Sequence, residues 1–376
     1  MWRKLTTFAG SWISWSVLTT LISITGLAVV LYSTVWGAFL IDDSYFYISP
    51  ARNLIAGEGL DISARIAPVL PLLLSLSGIF KTDPQIALRW LDALLFALNI
   101  YLVARIVYKL TDSRVFSLLA ALFSLASITL ITLHSNAMSE ALFTTLALCG
   151  LMVYALDRQK MGWKTPLLTG LFFGLAAATR YIGISLLITG GISWLIDKRV
   201  EIRRRLRNTV VFSIVGILPL LIWVIYNEGL IGRSTSRVIA MNPIPSSWWI
   251  QMVNTILLWF MPGRLIHGKE LLWVGGFALL LVTALIYAMW QKSKRQDVLS
   301  RFSEPTRTIA FISLFILVYI LVVIISRAFF DDRIPIDERI LGPVRQAGYI
   351  KRGAACLKLC SARHGDRGSR SVIDVI

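Results

Sequence analysis

Long apolar runs, separated by short polar segments, set the organisation of this chain. They fall at about 13–39, 86–108, 115–133, 139–156, 166–179, 183–196, 208–226, 270–290 and 308–330. Most of them approach the roughly 20 residues an α-helix needs to cross a bilayer. The alternating segments of about ten residues that build a membrane barrel are absent. The pattern predicts an all-α, polytopic transmembrane protein with about nine spans. Segment 68–80, PVLPLLLSLSGIF, is short and contains Pro68 and Pro71, so it reads as an interfacial helix.

Two features of the pattern point to a site. The runs 166–179 and 183–196 are too short to cross a normal hydrocarbon core unless they tilt or meet at a cavity. The TRYIG between them should therefore place Arg180 and Tyr181 on the floor of an outward-facing recess. The stretch 40–60, LIDDSYFYISPARNLIAGEGL, leaves the first span through two adjacent carboxylates. Within it Ser49 reads as an N-cap, Pro50 as the first helical position and Gly57 as the C-terminal stop. Tyr47, Ile48, Ala51, Leu54 and Ile55 share one face, with Arg52 and Asn53 on the other. Such an element lies in the interface plane and holds Asp42 and Asp43 at a fixed depth.

Composition agrees with the pattern and excludes a soluble domain. Of 376 residues, 56% are hydrophobic and 16% charged, and the mean hydropathy is +0.70. The net charge of +17 does not imply a nucleic-acid partner. The basic residues gather in alternate short loops: Arg3 and Lys4; Arg105, Lys109 and Arg114; Arg158, Lys160 and Lys164; residues 197–207; and residues 292–307. The other loops carry Asp42, Asp43, Glu58, Asp61, Glu140, Asp331, Asp332, Asp337 and Glu338. By the positive-inside rule the N-terminus is cytoplasmic, and Asp42, Asp43 and Glu140 face outward. The opening MWRKLTTFAGSW has the basic flank of a signal sequence, but the run behind it is too long and reads as an uncleaved span. Cys149, Cys356 and Cys360 form no disulfide framework.

Several polar residues carry two readings. An acid in the first turn of a helix, such as Glu140, is either a cap or a second acid in a cavity. His134 would serve as its partner at a metal, or as a structural histidine. Arg180, among apolar neighbours, needs a partner or a wet cavity, unless it snorkels to the interface. The loop 227–269 holds Trp248, Trp249 and Trp259, which fit belt anchoring and also an acceptor-binding role.

The order D-x3-Y-x3-A-R (Asp43, Tyr47, Ala51, Arg52) followed by GEG resembles the first external loop of the GT-C membrane glycosyltransferases. That group includes the protein O-mannosyltransferases, the lipid A aminoarabinose transferases and the family named after rhizobial galacturonosyltransferases. In the same order, APVLPLLLSL (67–76), SEALFTTLAL (139–148), GLFFGLAAATRYIGISLL (170–187), WFMPG (259–263) and DERILGPV (337–344) resemble later segments of the family. The resemblance covers about residues 10–344.

It implies transfer of a sugar from a polyprenyl-phosphate donor to a glycan, lipid or protein acceptor, with inversion, at the outer face of the plasma membrane. It makes Asp43 the base and Asp42 the next choice, with Glu140 a further acid. Arg180 and Arg339 would meet the donor phosphate, and Tyr47 and Tyr181 would line the substrate cavity. A histidine that some members carry before the loop proline is absent from ISARIAPVLP, so no metal ligand is assigned and a divalent cation is left open. The basic tail 345–376 departs from the family and is expected to be disordered, with domain 1–344 C-terminally incomplete. Its Cys356, Cys360 and His364 lack the fourth ligand of a zinc site. Two other classes stay open: a non-catalytic membrane subunit and, with less to favour it, a transporter.

Overall fold

The structure is a computed structural model that describes residues 14–60, 66–155, 162–197, 200–231, 240–258, 304–330 and 340–344. Among these residues the fold is helical, with one isolated backbone bridge between Phe39 and Asn136. Helix α1 spans Trp15–Ser33, where Ser14 caps the first turn by accepting from the Val17 amide. A 3-10 turn, Asp42–Ser44, leads into α2, Tyr45–Ala56. Next come α3, Val69–Ser75, and the 3-10 turn Leu76–Phe80.

The long α4, Pro84–Thr111, starts with Asp83 as N-cap and Pro84 at its first position. Helices α5, Arg114–Leu125, and α6, Ile128–Ser135, replace the continuous run read at 115–133. They meet at a 56° bend, where Ser127 starts a new helix by accepting from the Leu130 amide. The rest of the bundle is α7, Glu140–Ala155; α8, Lys164–Ala177; α9, Ile184–Leu195; α10, Ile202–Ile231; α11, Ser246–Leu258; and α12, Glu304–Phe329.

Eight of the nine expected runs are therefore helical, and the run at 270–290 lies outside the described residues. By length and composition four helices can cross a bilayer alone: Trp15–Ser33, Pro84–Thr111, Ile202–Asn227 and Arg307–Phe329; the bent pair makes a fifth. Helices α7, α8 and α9 are shorter, at 16, 14 and 12 residues. They reach roughly 24, 21 and 18 Å against a hydrocarbon core of about 30 Å. The chain is a multi-pass helical membrane protein in which short helices end inside the bundle.

Helices α4 and α7 stand at the centre. One core joins Leu102, Val103 and Ile106 of α4 to Phe143 of α7, Phe173 of α8, Phe212 of α10 and Phe315 of α12. A second joins Tyr47, Ile48 and Ala51 of α2 to Leu70 of α3, Leu95 of α4 and Leu142 of α7. Lipid is as apolar as these side chains, so close packing, not escape from water, must hold the helices together. Helices α8 and α10 illustrate this: a Cβ at Gly170 would lie 2.7 Å from the Phe212 carbonyl oxygen, so only glycine lets the backbones meet. Outward faces stay apolar, as with Ile214, Ile222 and Ile225 of α10.

Helix α2 corrects the expectation for its start. It begins at Tyr45, and Pro50 lies inside it instead of at its first position. Burial of Tyr47 and Ile48 draws the preceding turn into the helix, and Ser44 supports that turn by accepting from the Ile41 amide at 2.9 Å. Gly57 ends the helix as expected, in the left-handed conformation at φ 79°. The helix is clamped to the top of α4 by Arg52, which donates to Asp83 Oδ2 at 2.9 Å and Oδ1 at 3.1 Å. The Arg52 hydrogen bonds hold the Asp83 carboxyl below the usual carboxylate range. The stability this contributes is present above the unfolded-state value and is lost as pH falls through the folded one.

The pair is exposed, so Arg52→Ala should cost less than about 1 kcal/mol. Asp83→Ala, which also removes the α4 cap, should cost about 1–2 kcal/mol. Thermal unfolding in detergent at neutral pH and at pH 3 checks both, and the Arg52 effect should fade at the lower pH.

Candidate active site

The candidate residues converge at the end of the bundle that carries α2 and α3. Two segments are first pinned together by backbone bonds. Phe39 N donates to Ser135 O at 2.8 Å and Ala137 N to Phe39 O at 2.7 Å. The strand leading to Asp43 is thereby tied to the turn leading to Glu140. A third tie runs from Val69 N at the start of α3 to Ala178 O at the end of α8, at 3.2 Å. It brings the segment bearing Arg180 under the same roof.

The side chains complete the assembly. Glu140, fully buried in the first turn of α7, forms a direct ion pair with Arg180. Arg180 Nη1 also lies 3.5 Å from Ser139 Oγ, and Ser139 in turn donates to Tyr47 Oη at 3.0 Å. Burial pushes the Tyr47 phenol up; Arg180 opposes this, while Glu140 and Asp43 add to it. Tyr47 is thus a neutral hydrogen-bonding group among Asp43, Glu140 and Arg180. Tyr181 takes a hydrogen bond from Trp223 Nε1 of α10 at 2.9 Å and donates to the Ile66 carbonyl at 3.3 Å. Arg180 and Tyr181 lie together between the short helices α8 and α9.

The structure brings Asp43, Tyr47, Glu140 and Arg180 into one neighbourhood, with Tyr181 beside Arg180. Glu140 is no mere cap, since its carboxylate meets a guanidinium from another helix. For Asp42 the backbone alone is described, and Arg339 lies outside the described residues, as do Cys356, Cys360 and His364 of the tail. His134 does not join Glu140. It is buried against Phe96, with Nδ1–H donating to Leu130 O at 2.7 Å and Nε2 accepting from the Asn99 amide at 2.8 Å. Among the described residues no group of three or more His, Cys, Asp or Glu side chains is placed to hold a metal.

Two partners owe their place to contacts far along the chain: Trp223, which no motif marked, and Ser139, which heads the SEALFTTLAL segment but shows its bond to Tyr47 only in the fold. A third residue, Asp92, carried a signal as an acid inside an apolar run. It is buried in α4, and among the described residues neither oxygen has a hydrogen-bond partner.

Residues 65–223 match the family described as dolichyl-phosphate-mannose-protein mannosyltransferase, a stretch that contains Glu140, Arg180 and Tyr181. The architecture resembles that of ArnT from Cupriavidus metallidurans, solved bound to undecaprenyl phosphate, with a TM-score of 0.57 at 15% identity. The likeness covers 89% of this chain and 59% of ArnT. The chain has the GT-C fold. No curated protein matches it by sequence, and it spans about three-fifths of the length of ArnT, the GT-C protein it resembles.

The buried ion pair makes a stability prediction for this GT-C chain. Glu140→Gln leaves the Arg180 charge without its partner and should cost about 3–5 kcal/mol. The double variant Glu140→Leu/Arg180→Met should recover most of that loss. Unfolding midpoints that fall additively in the two singles and the double would contradict the pairing.

Proposed function

We propose that this chain is a glycosyltransferase that moves a sugar from a polyprenyl-phosphate donor to an acceptor hydroxyl at the outer face of the plasma membrane, with inversion. The observation that carries this reading is the convergence of the Asp43 carboxylate with an arginine-centred polar cluster at one end of a GT-C bundle. The match of residues 65–223 to a family that uses a lipid-phosphate sugar supports the donor class. The charge pattern of the loops supports the outward placement and a cytoplasmic N-terminus.

The chemistry follows from the groups present. The acceptor oxygen attacks the anomeric carbon from the face opposite the phosphate, and the carbon–oxygen bond to the phosphate breaks. One displacement inverts the anomeric centre. Asp43 takes the acceptor hydroxyl proton. Arg180 stabilises the charge that builds on the departing polyprenyl phosphate, since a guanidinium has five N–H donors and the contacts to Glu140 and Ser139 leave others free to act. Glu140 and Ser139 hold Arg180 in place, and Tyr47 links that arrangement to α2. Asp42 stands next to Asp43 as the alternative base, and Arg339 is the second cation for the phosphate. Tyr47 and Tyr181 line the cavity.

Purified protein in lipid, given radiolabelled polyprenyl-phosphate sugars, should show transfer. Asp43→Asn should lower the rate at least about 100-fold, the scale of general-base catalysis. Equal rates in parent and variant would remove Asp43 from the mechanism, and transfer from no donor would end the enzymatic reading.

A further inference from the structure

Helix α10 faces lipid on most of its surface: Ile217, Leu218, Leu221, Ile222, Val224 and Ile225 are exposed. One narrow stripe turns inward. It runs through Asn208, Phe212, Gly216, Trp223 and Asn227, all buried, at spacings of four, four, seven and four that keep residues on one helix face. At Phe212 and Gly216 the stripe meets the glycines of α8. At Trp223 it meets Tyr181, the neighbour of Arg180, through the indole N–H. Asn227 continues the stripe one turn further, about 6 Å along the axis.

Asn227 is 1% exposed, yet among the described residues neither Nδ2 nor Oδ1 has a hydrogen-bond partner. A carboxamide buried in this way is costly, and native proteins seldom leave one so. From residue 216 of α10 onward, the other buried positions among the described residues are Gly216, which packs on α8, and Trp223, which is bonded to Tyr181. The chemistry of Asn227 narrows the missing partner. An anionic phosphate offers acceptors alone and would leave Oδ1 facing like charge, while a lipid chain offers no polar group. A sugar hydroxyl both donates and accepts, and two hydroxyls on adjacent ring carbons match an amide that presents one acceptor and two N–H donors.

We infer that Asn227 binds hydroxyls of the donor sugar ring, in a subsite one turn beyond Trp223 and Tyr181. This rests on the polyprenyl-phosphate donor proposed above, and it adds a residue that discriminates the sugar from the bare lipid. With the phosphate on Arg180, the ring bonded to that phosphate extends along the α10 stripe, past Tyr181, to the unpaired amide.

The test is equilibrium binding in lipid nanodiscs of three probes: undecaprenyl phosphate, undecaprenyl phosphate mannose and undecaprenyl phosphate glucose. Parent and Asn227→Leu are compared. The parent should bind at least one sugar-bearing lipid about tenfold more tightly than bare undecaprenyl phosphate, the value of a net hydrogen bond. Asn227→Leu should lose that preference while its affinity for bare undecaprenyl phosphate stays unchanged. The ligand-free variant should unfold at a temperature no lower than the parent, since the amide gives up no partner. Independently of any variant, deoxy forms of the preferred donor should include one that binds the parent about tenfold less tightly.

An equal fall for all three lipids, an unchanged preference in Asn227→Leu, or a lower unfolding midpoint of the empty variant would each overturn the assignment. A parent that binds none of the lipids would overturn the donor reading itself, a result distinct from a parent that binds and a variant that keeps its preference.

Discussion

A polar group inside a bilayer has to find its partner within the protein, and the Glu140–Arg180 pair is where that constraint shapes this molecule most. An acid opens α7 at the end of the bundle that carries α2 and α3, and Arg180, three residues past the end of α8, meets it there. Neither charge is tolerable alone at that depth. Helix α7 begins there and α8 ends close by, and α8 and α9 are shorter than a bilayer requires.

The same pair organises what lies above it. Arg180 lies beside Ser139, Ser139 donates to Tyr47, and Tyr47 belongs to α2, one turn after Asp43. Backbone bonds from Phe39 to Ser135 and Ala137 fix the approach to Asp43 from the other side. The Arg52–Asp83 clamp holds the far end of α2 on α4. These ties fix the backbone on both sides of Asp43, whose charge is felt at Tyr47, and under the proposed function they preorganise it for the acceptor hydroxyl.

Much of this was legible in the sequence, because it depends on length and side-chain chemistry. Apolar runs marked the helices, the two short runs marked α8 and α9 on either side of Arg180 and Tyr181, and the stretch after the first span marked helix α2. Other features depended on partners remote in the chain. Pro50 sits inside α2 because Tyr47 and Ile48 find a core to bury against, which local propensity does not register. The run at 115–133 bends at Ser127 because a cap there outweighs continuity. His134, spaced suitably from Glu140 along the chain, turns instead toward Asn99 across the interface with α4. Ser139, Trp223 and Asn227 are ordinary residues until helices from three parts of the chain surround them.

The proposed role of Arg180 is to receive the lipid phosphate of the donor. The most direct measurement is saturable binding of undecaprenyl phosphate to purified protein in nanodiscs, beside the double variant Glu140→Leu/Arg180→Met, which leaves neither buried charge unpaired. The account predicts saturable binding by the parent and at least about a tenfold loss in the variant, the scale of a charge-assisted contact. Absence of saturable binding by the parent, or equal affinity in both proteins, would contradict it.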